Sequence, residues 1–144
     1  MTLHAPYDPD NIFAKILRGE MPAVKIYEDD VAFAFMDIFP QAEGHTLVIP
    51  KEVEARNLLD MPANKLAPYM SRVQIIAQAV EKALSPDGIV VTQFNGAVAG
   101  QTVFHLHFHI IPRNEGVALG RHGAGGMADP ADLEPIAEKI RAAL

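Results

Sequence analysis

Three histidines alternate with apolar residues in one short run. The run HLHFHIIPR (105–113) places His105, His107 and His109 at every second position, although the whole chain has only six histidines. Successive side chains of a β-strand point to opposite faces. A strand here would therefore align three imidazoles on one face, with alternate residues about 6.5 to 7 Å apart, and place the apolar residues in the core. Such a row can surround one small anion or one metal ion.

Three interpretations of the row remain open. The histidines could occupy the exposed face of a half-buried strand, although this explains one histidine better than three. They could bind a metal, since imidazole is the commonest metal-binding side chain, but no acidic residue lies between Asn95 and Glu115 to complete a catalytic zinc site. They could perform phosphorus chemistry, because a neutral imidazole is a nucleophile near pH 7 and its neighbours can donate hydrogen bonds and protons.

Apolar periodicity predicts the elements that position this row. The first elements are a short helix IFAKILRG (12–19), capped by Asp10 or Asn11, and three strands, VKIYED (24–29), VAFAFMDI (31–38) and HTLVIPK (45–51). A long helix over 62–84, capped by Asp60, follows them. The chain continues with strands IVVTQFN (89–95) and QTVFHLHFHII (101–111), the second ended by Pro112, and with a terminal helix DLEPIAEKIRAAL (132–144). The first three strands form a meander. Strand groups on either side of a long helix indicate an α+β domain with an antiparallel sheet.

Composition limits the classes of function. A chain of 144 residues with 49% hydrophobic and 21% charged residues predicts one folded domain. The formal charge of −6 argues against binding of nucleic-acid polymers, whose affinity comes mostly from Lys and Arg. Cysteine is absent, which excludes disulfides and a thiolate nucleophile. The chain start lacks a signal-peptide pattern and no apolar run is long enough for a membrane helix, so we expect a cytoplasmic protein. Residues 1–9 contain two prolines and predict a mobile arm.

Two segments resemble one known family. NGAVAGQTVFHLHFHII (95–111) is similar to the histidine triad motif, in which three histidines alternate with apolar residues after an Asn, a glycine pair and a Gln-Ser/Thr-Val tripeptide. IFAKILRGEMPAVKIYEDDVAFAFMDIFPQAEGHTLVIPK (12–51) resembles the Hint-like, histidine triad nucleotide-binding branch of the HIT family. Together they cover about residues 11–113. The resemblance implies a single HIT domain over 1–144, with a five-stranded antiparallel sheet, a long helix, a short N-terminal helix and a C-terminal helix, and a variable segment over 116–144.

The resemblance also implies roles for the histidines. His107 would be the nucleophile that attacks the α-phosphorus of a nucleotide and becomes nucleotidylated. His109 would hydrogen-bond the phosphate or the leaving group and help proton transfer. His105 and His45 would form a supporting histidine network. His45 opens the predicted strand HTLVIPK, and pairing of that strand with the histidine strand could bring it beside the triad; the alternative is a residue at the edge of a turn.

Further positions match the nucleotide-binding residues of the family. Asn95, Gln101 and Thr102 match the phosphate-binding loop, although Thr102 could instead satisfy backbone groups at a strand end. Asp37 matches the carboxylate that accepts hydrogen bonds from the ribose hydroxyls. The apolar base pocket is matched by Ile12, Phe13, Ile16, Phe35 and Ile38. Periodicity alone favours a core role for these apolar residues, because amphipathic elements need a buried face.

The implied activity is hydrolysis of a purine nucleoside 5'-phosphoramidate through a covalent nucleotidyl-histidine intermediate. GQTV before the triad and PR after it also occur in dinucleoside polyphosphate hydrolases, which are the alternative. A nucleotide-binding regulator with little turnover is a third possibility. Transferases of the family commonly replace the last histidine with glutamine, so His109 disfavours that branch. No metal or cofactor is expected, because the attack needs none and the cysteines that hold structural zinc in some relatives are absent. The resemblance further implies a homodimer, formed through the long helix and a central strand.

Overall fold

The structure is a computed structural model that describes residues 3–119 and 126–144. Its elements are α1 (Ile12–Leu17), β1 (Lys25–Glu28), β2 (Ala32–Met36), β3 (Thr46–Pro50), α2 (Ala63–Leu84), β4 (Gly88–Thr92), β5 (Phe108–Arg113) and α3 (Pro130–Ala142), with single 3₁₀ turns at Leu58–Asp60 and Ala97–Ala99. The predicted α+β class is confirmed, as are the short first helix, the long second helix and the terminal helix.

All five strands form one sheet in the order β1-β2-β3-β5-β4. Every neighbouring pair is antiparallel. The predicted meander of β1, β2 and β3 is confirmed, and β5 lies between β3 and β4. The strand that ends the histidine run is therefore an inner strand, held on both sides.

The two faces of the sheet have separate apolar clusters. On one face, the sheet residues Ala34, Val48 and Ile110 belong to a cluster with Tyr69 and Ile76 of α2. Leu106 and Phe108 also join this cluster, so the prediction that the apolar residues between the histidines enter the core is confirmed. On the opposite face, α1 contributes to a smaller cluster, formed by Phe13, Phe33, Phe35, Leu47 and Ile49. His109 pairs with Leu47 across the ladder and lies on this α1 face.

One of the predicted helix caps is correct and one is wrong. The side-chain oxygen of Asn11 accepts the Ala14 N–H at 2.9 Å and caps α1. Asp60 does not cap α2, whose first turn follows Pro62 without a side-chain cap. Asp60 lies instead in the 3₁₀ turn before it, where its carboxylate accepts the Arg56 N–H at 3.2 Å.

The last two strands are shorter than predicted, β4 at its C-terminal end and β5 at its N-terminal end. β4 ends at Thr92, not at residue 95, and β5 begins at Phe108, not at residue 101. Residues 101–107 leave the sheet because they bond to the loop after β3: the Leu106 N–H donates to the Ala55 carbonyl at 2.9 Å. His105 and His107 thus lie in the loop before β5, so the three histidines do not share one strand face.

The prediction that Pro112 ends the last strand is wrong. Pro112 lies inside β5, opposite Ile89. A proline has no N–H for a ladder bond, which normally keeps it out of inner strands. Here β3 pairs with β5 only as far as Ile110. Beyond that point β5 has a single neighbour and tolerates the proline.

The arm before α1 contacts the domain where it is described. The Leu3 carbonyl accepts a hydrogen bond from the Asn57 side chain at 3.1 Å, and the Pro9 carbonyl accepts one from Arg18 at 2.7 Å. Residues 1–2 of the predicted arm and residues 120–125 of the C-terminal segment lie outside the described residues. Within the described parts, no helix is both long and apolar enough to cross a membrane.

Candidate active site

A largely apolar cavity of about 390 Å³ opens on the α1 face of the sheet, with His107 and His109 in its wall. Its lining comes from α1, the segment after α1, the ends of β2 and β3, the loop before β5 and the start of α3: Ile12, Phe13, Ile16, Met21, Pro22, Ala23, Val24, Phe35, Met36, Asp37, Ile38, Phe39, Leu47, Thr102, Val103, His107, His109, Met127 and Pro130. The cavity is within the size range of small-molecule sites.

The proton position on His107 follows from a main-chain contact. Its Nδ1 lies 2.7 Å from the His105 carbonyl oxygen. A carbonyl can only accept, so Nδ1 carries the proton and donates. In the neutral imidazole the lone pair is then on Nε2, which is the nucleophilic nitrogen. The Phe13 ring lies edge-on to the imidazole, with centroids 4.9 Å apart, and fixes its plane.

His45 and His109 form a second pair whose proton positions are also set by the main chain. The Gln41 N–H donates to Nδ1 of His45 at 3.0 Å, so the His45 proton is on Nε2. This Nε2 lies 3.0 Å from Nδ1 of His109 and 3.4 Å from a carboxylate oxygen of Asp37. His109 therefore accepts at Nδ1 and carries its proton on Nε2. The rings of His107 and His109 are 4.9 Å apart, so a lone pair and an N–H donor lie side by side.

Strand pairing explains why Asp37 and His45 meet at this point. Asp37 directly follows β2 and His45 directly precedes β3, and the Asp37 N–H donates to the His45 carbonyl at 3.0 Å. β3 then pairs with β5 so that Leu47 lies opposite His109. The predicted neighbourhood of His45 and the triad therefore arises from antiparallel pairing.

His105 faces away from the cavity. Its Nε2 donates to the Pro50 carbonyl at 3.1 Å, and its Nδ1 accepts from the Tyr7 hydroxyl at 2.6 Å. Burial lowers the pKa of His105 to about 4, a shift that the bond to Pro50 opposes and the neighbouring His107 reinforces. The His105 ring is therefore neutral at pH 7.

Asp37, His45 and His109 are all buried, and their potential ligand atoms lie within 4.8 Å of one another, as in a metal site. The proton on His45 disfavours this use. Coordination through Nε2 would require that proton to leave, while the Gln41 N–H still occupies Nδ1. The ring would then be an imidazolate, whereas metals in proteins normally bind a neutral imidazole. The contacts fit a hydrogen-bond chain better than a metal centre.

The predicted phosphate-binding residues are placed differently from one another. Thr102 is exposed and lines the cavity. Gln101 is buried; its Oε1 accepts the Gly96 N–H at 2.8 Å and its Nε2 donates to the Arg56 carbonyl at 2.7 Å. The Asn95 side-chain oxygen accepts the Leu58 N–H at 3.0 Å. Gln101 and Asn95 thus brace the loop that carries Thr102 and the histidines.

All the predicted nucleoside-binding residues line the cavity, namely Ile12, Phe13, Ile16, Phe35, Asp37 and Ile38. Oδ1 of Asp37 accepts the Phe39 N–H at 2.8 Å. Its other carboxylate oxygen, Oδ2, lies 3.4 Å from Nε2 of His45. Phe13 and Phe35 are also core residues, with ring centroids 5.3 Å apart. These two side chains therefore belong both to the core and to the cavity wall.

Sequence reasoning missed the C-terminal part of the cavity wall. Met127 and Pro130 line it, held there by the Ala128 N–H, which donates to the Ile38 carbonyl at 2.7 Å. These residues belong to the segment over 116–144 that the resemblance implied to be variable. Sequence reasoning also missed Tyr7, which lies in a segment without apolar periodicity.

The fold is an open antiparallel sheet, and His107 and His109 lie at an apolar cavity with their protons on different ring nitrogens. These features place the protein in the histidine triad class of α+β proteins. Residues 18–116 match the HIT domain family, and the chain belongs to this family. A solved structure of a Hit-like protein from Bartonella henselae, described as involved in cell-cycle regulation and containing an unknown ligand, is 55% identical, with a TM-score of 0.89 over 97% of this chain and 100% of that chain.

Two named relatives have assigned activities. Adenosine 5'-monophosphoramidase hnt1 from Schizosaccharomyces pombe is 39% identical over 132 residues, which are 90% of this chain and 94% of the relative. Adenylylsulfatase HINT3 from Arabidopsis thaliana is 43% identical over 106 residues, which are 74% of this chain. The latter match spans only 53% of the Arabidopsis protein, about half its length.

Proposed function

We propose that this HIT-type hydrolase cleaves purine nucleoside 5'-phosphoramidates through a nucleotidyl intermediate on His107. The observation that carries the proposal is the bond between His107 Nδ1 and the His105 carbonyl, which leaves the lone pair on Nε2 in a cavity suited to a nucleoside. The similarity to the Schizosaccharomyces pombe phosphoramidase supports the choice of leaving group.

The nucleoside would occupy the apolar cavity, with its ribose hydroxyls donating to Asp37. Nε2 of His107 attacks the α-phosphorus, the new P–N bond forms, and the P–N bond to the leaving nitrogen breaks. The leaving nitrogen takes one proton from solvent and departs as an amine. Water then attacks the nucleotidyl-His107, the monophosphate is released, and one proton returns to solvent. Attack and release are two easier steps in place of one.

His109 would stabilise the charge that develops on a phosphoryl oxygen. Its Nε2–H is the donor, since Nδ1 accepts from His45. The Gln41 amide restricts His45 to one proton, so His45 cannot readily replace a proton lost from His109. This favours a hydrogen-bonding role for His109 over full proton donation. Prepositioned donors of this kind contribute about 2.7 to 4 kcal/mol to catalysis.

The experiment is release of AMP from adenosine 5'-phosphoramidate. We expect His107→Ala to lower the rate by roughly a thousandfold or more, because it removes the nucleophile. His4→Ala is the matched control, since His4 is exposed in the described arm, and should match the wild type. Equal rates for wild type and His107→Ala would refute the enzymatic proposal and leave a nucleotide-binding protein.

Other leaving groups are tested in the same assay. The similarity to adenylylsulfatase HINT3 favours a sulfate leaving group as a second candidate, and dinucleoside polyphosphates are the third. Comparison of kcat/KM for adenosine phosphoramidate, adenosine phosphosulfate and diadenosine triphosphate ranks them, and guanosine and cytidine phosphoramidates test the purine preference. A higher kcat/KM for either alternative would reassign the leaving group but keep His107 as nucleophile.

The proposal includes a homodimer. β4 is an edge strand, and its Val91 is 46% exposed, while Ile75 of α2 is 43% exposed. Exposed apolar residues on two contacting elements are typical of an interface. We expect wild type to sediment as a dimer and Val91→Lys as a monomer. Val98→Lys, a change at a fully exposed valine of the 3₁₀ turn Ala97–Ala99, is the control. A dimer of Val91→Lys would contradict this interface.

A further inference from the structure

Tyr7 reaches the triad from a segment outside the family match. It lies eleven residues before the first matched residue, Arg18, and no periodicity singles it out. Its hydroxyl is 2.6 Å from Nδ1 of His105, and the two rings meet edge-on with centroids 5.7 Å apart. Since Nε2 of His105 donates to the Pro50 carbonyl, Nδ1 must accept, and the tyrosine hydroxyl is the donor.

The arm is attached on both sides of this contact. Before Tyr7, the Leu3 carbonyl accepts from the Asn57 side chain at 3.1 Å. After it, the Asp8 carbonyl accepts from the Asn11 side chain at 2.7 Å, and Asn11 caps the helix that carries Phe13. Burial raises the pKa of Tyr7, so the hydroxyl keeps its proton at neutral pH. The half-buried tyrosine is therefore held as a fixed donor.

The contact extends to the nucleophile through one residue. Tyr7 and the Pro50 carbonyl hold the two nitrogens of the His105 ring. The His105 carbonyl in turn accepts the proton of His107 Nδ1 at 2.7 Å. A ring held at both nitrogens restrains the rotation of its own backbone, and that backbone carries the carbonyl that selects the His107 tautomer.

We propose that Tyr7 is a positioning residue for the histidine triad, which acts through His105 to keep His107 oriented with its Nε2 lone pair toward substrate. This inference rests on the proposed function for its kinetic part, and on geometry alone for its spectroscopic part. Tyr7 is outside the cavity lining, so it should affect the chemical step and not nucleotide binding.

The test is Tyr7→Phe, which removes the hydroxyl and keeps the ring. We expect kcat for adenosine phosphoramidate to fall about three- to tenfold, the rate equivalent of one hydrogen bond, with KM unchanged. In ¹⁵N NMR spectra of the imidazoles, His105 Nδ1 should shift to the value of an acceptor without a donor. The Nδ1-protonated fraction of His107 should decrease.

Tyr27→Phe is the matched control, because the Tyr27 hydroxyl also donates to a half-buried partner, Asp29, at 2.6 Å, but lies on β1 away from the triad. It should leave kcat and the imidazole spectra at wild-type values, and thermal midpoints of both variants show that they fold. Unchanged His105 and His107 resonances in Tyr7→Phe would overturn the positioning role. If wild type does not hydrolyse the substrate, the proposed function fails while the NMR result still decides the role of Tyr7.

Discussion

Acidification should destabilise this protein through His105 before most carboxylates titrate. Burial lowers the pKa of this imidazole from the ordinary 6.5 to about 4 in the folded protein, whereas the unfolded chain keeps the ordinary value. The unfolded chain therefore binds the proton first. The stability that neutral His105 provides is complete above pH 6.5 and is lost as the pH falls toward 4.

The magnitude follows from the two pKa values of His105. At roughly 1.36 kcal/mol per pH unit, the loss relative to pH 7 is about 2 kcal/mol at pH 5 and about 3 kcal/mol at pH 4. This is a substantial share of a typical unfolding free energy of about 5 to 15 kcal/mol. One buried imidazole can thus make a measurable contribution to the acid sensitivity of the domain between pH 7 and pH 5.

Urea unfolding followed by circular dichroism at pH 7 and pH 5 measures this loss. In His105→Gln the amide keeps a donor and an acceptor but cannot be protonated, so we expect its unfolding free energy to fall about 2 kcal/mol less than that of the wild type. His4→Gln, at an exposed histidine, should behave as wild type. The carboxylates titrate in all three proteins, so their contribution cancels when the losses of unfolding free energy are compared. An equal loss in wild type and His105→Gln would refute the reasoning.

Three further predictions concern the turn before β3 and the cavity. Gly44 has φ +90°, and an added Cβ would clash with Leu84, whereas Gly19 has φ +77° and an added Cβ would meet nothing within 4 Å. Gly44→Ala should therefore lower the free energy of urea unfolding by about 2 to 4 kcal/mol, and the control Gly19→Ala by about 1 kcal/mol. Equal losses in the two variants would contradict the clash. Met127→Ala should raise KM about two- to fivefold at constant kcat, because it uncovers the cavity; a fall in kcat alone would contradict this. Asp37→Asn should raise KM about tenfold for a ribonucleoside substrate but not for its 2',3'-dideoxy analogue, which has neither ribose hydroxyl; equal increases would exclude ribose binding.

The fold was largely predictable because local patterns determine it. Apolar periodicity located three helices and five strands, and the alternation of Leu106, Phe108 and Ile110 predicted their burial against α2. The start of β5 was not predictable from the same pattern. Residues 101–107 alternate as a strand does, yet they bond to the loop after β3, and this competition between ladder and loop is a tertiary effect that periodicity cannot reveal.

The candidate site was predictable where its residues are carried by recognisable segments. Ile12, Phe13 and Asp37 lie in the segment 12–51 that carries the resemblance, and all three line the cavity. Tyr7 and Met127 were missed because each lies in a segment without periodic pattern and reaches the site only through distant contacts, across 98 residues in the case of Tyr7 and His105. Such contacts depend on the path of the chain and leave no local signal in the sequence.

The chemistry of the triad depends on main-chain groups more than on its spacing. The His105 carbonyl can only accept and the Gln41 N–H can only donate, and these two groups impose opposite proton positions on His107 and, through His45, on His109. Three histidines in sequence are compatible with a metal site, a polar surface or a nucleophile. The fold favours the proposed nucleophile because the His105 carbonyl oxygen faces His107 and the Gln41 N–H faces His45.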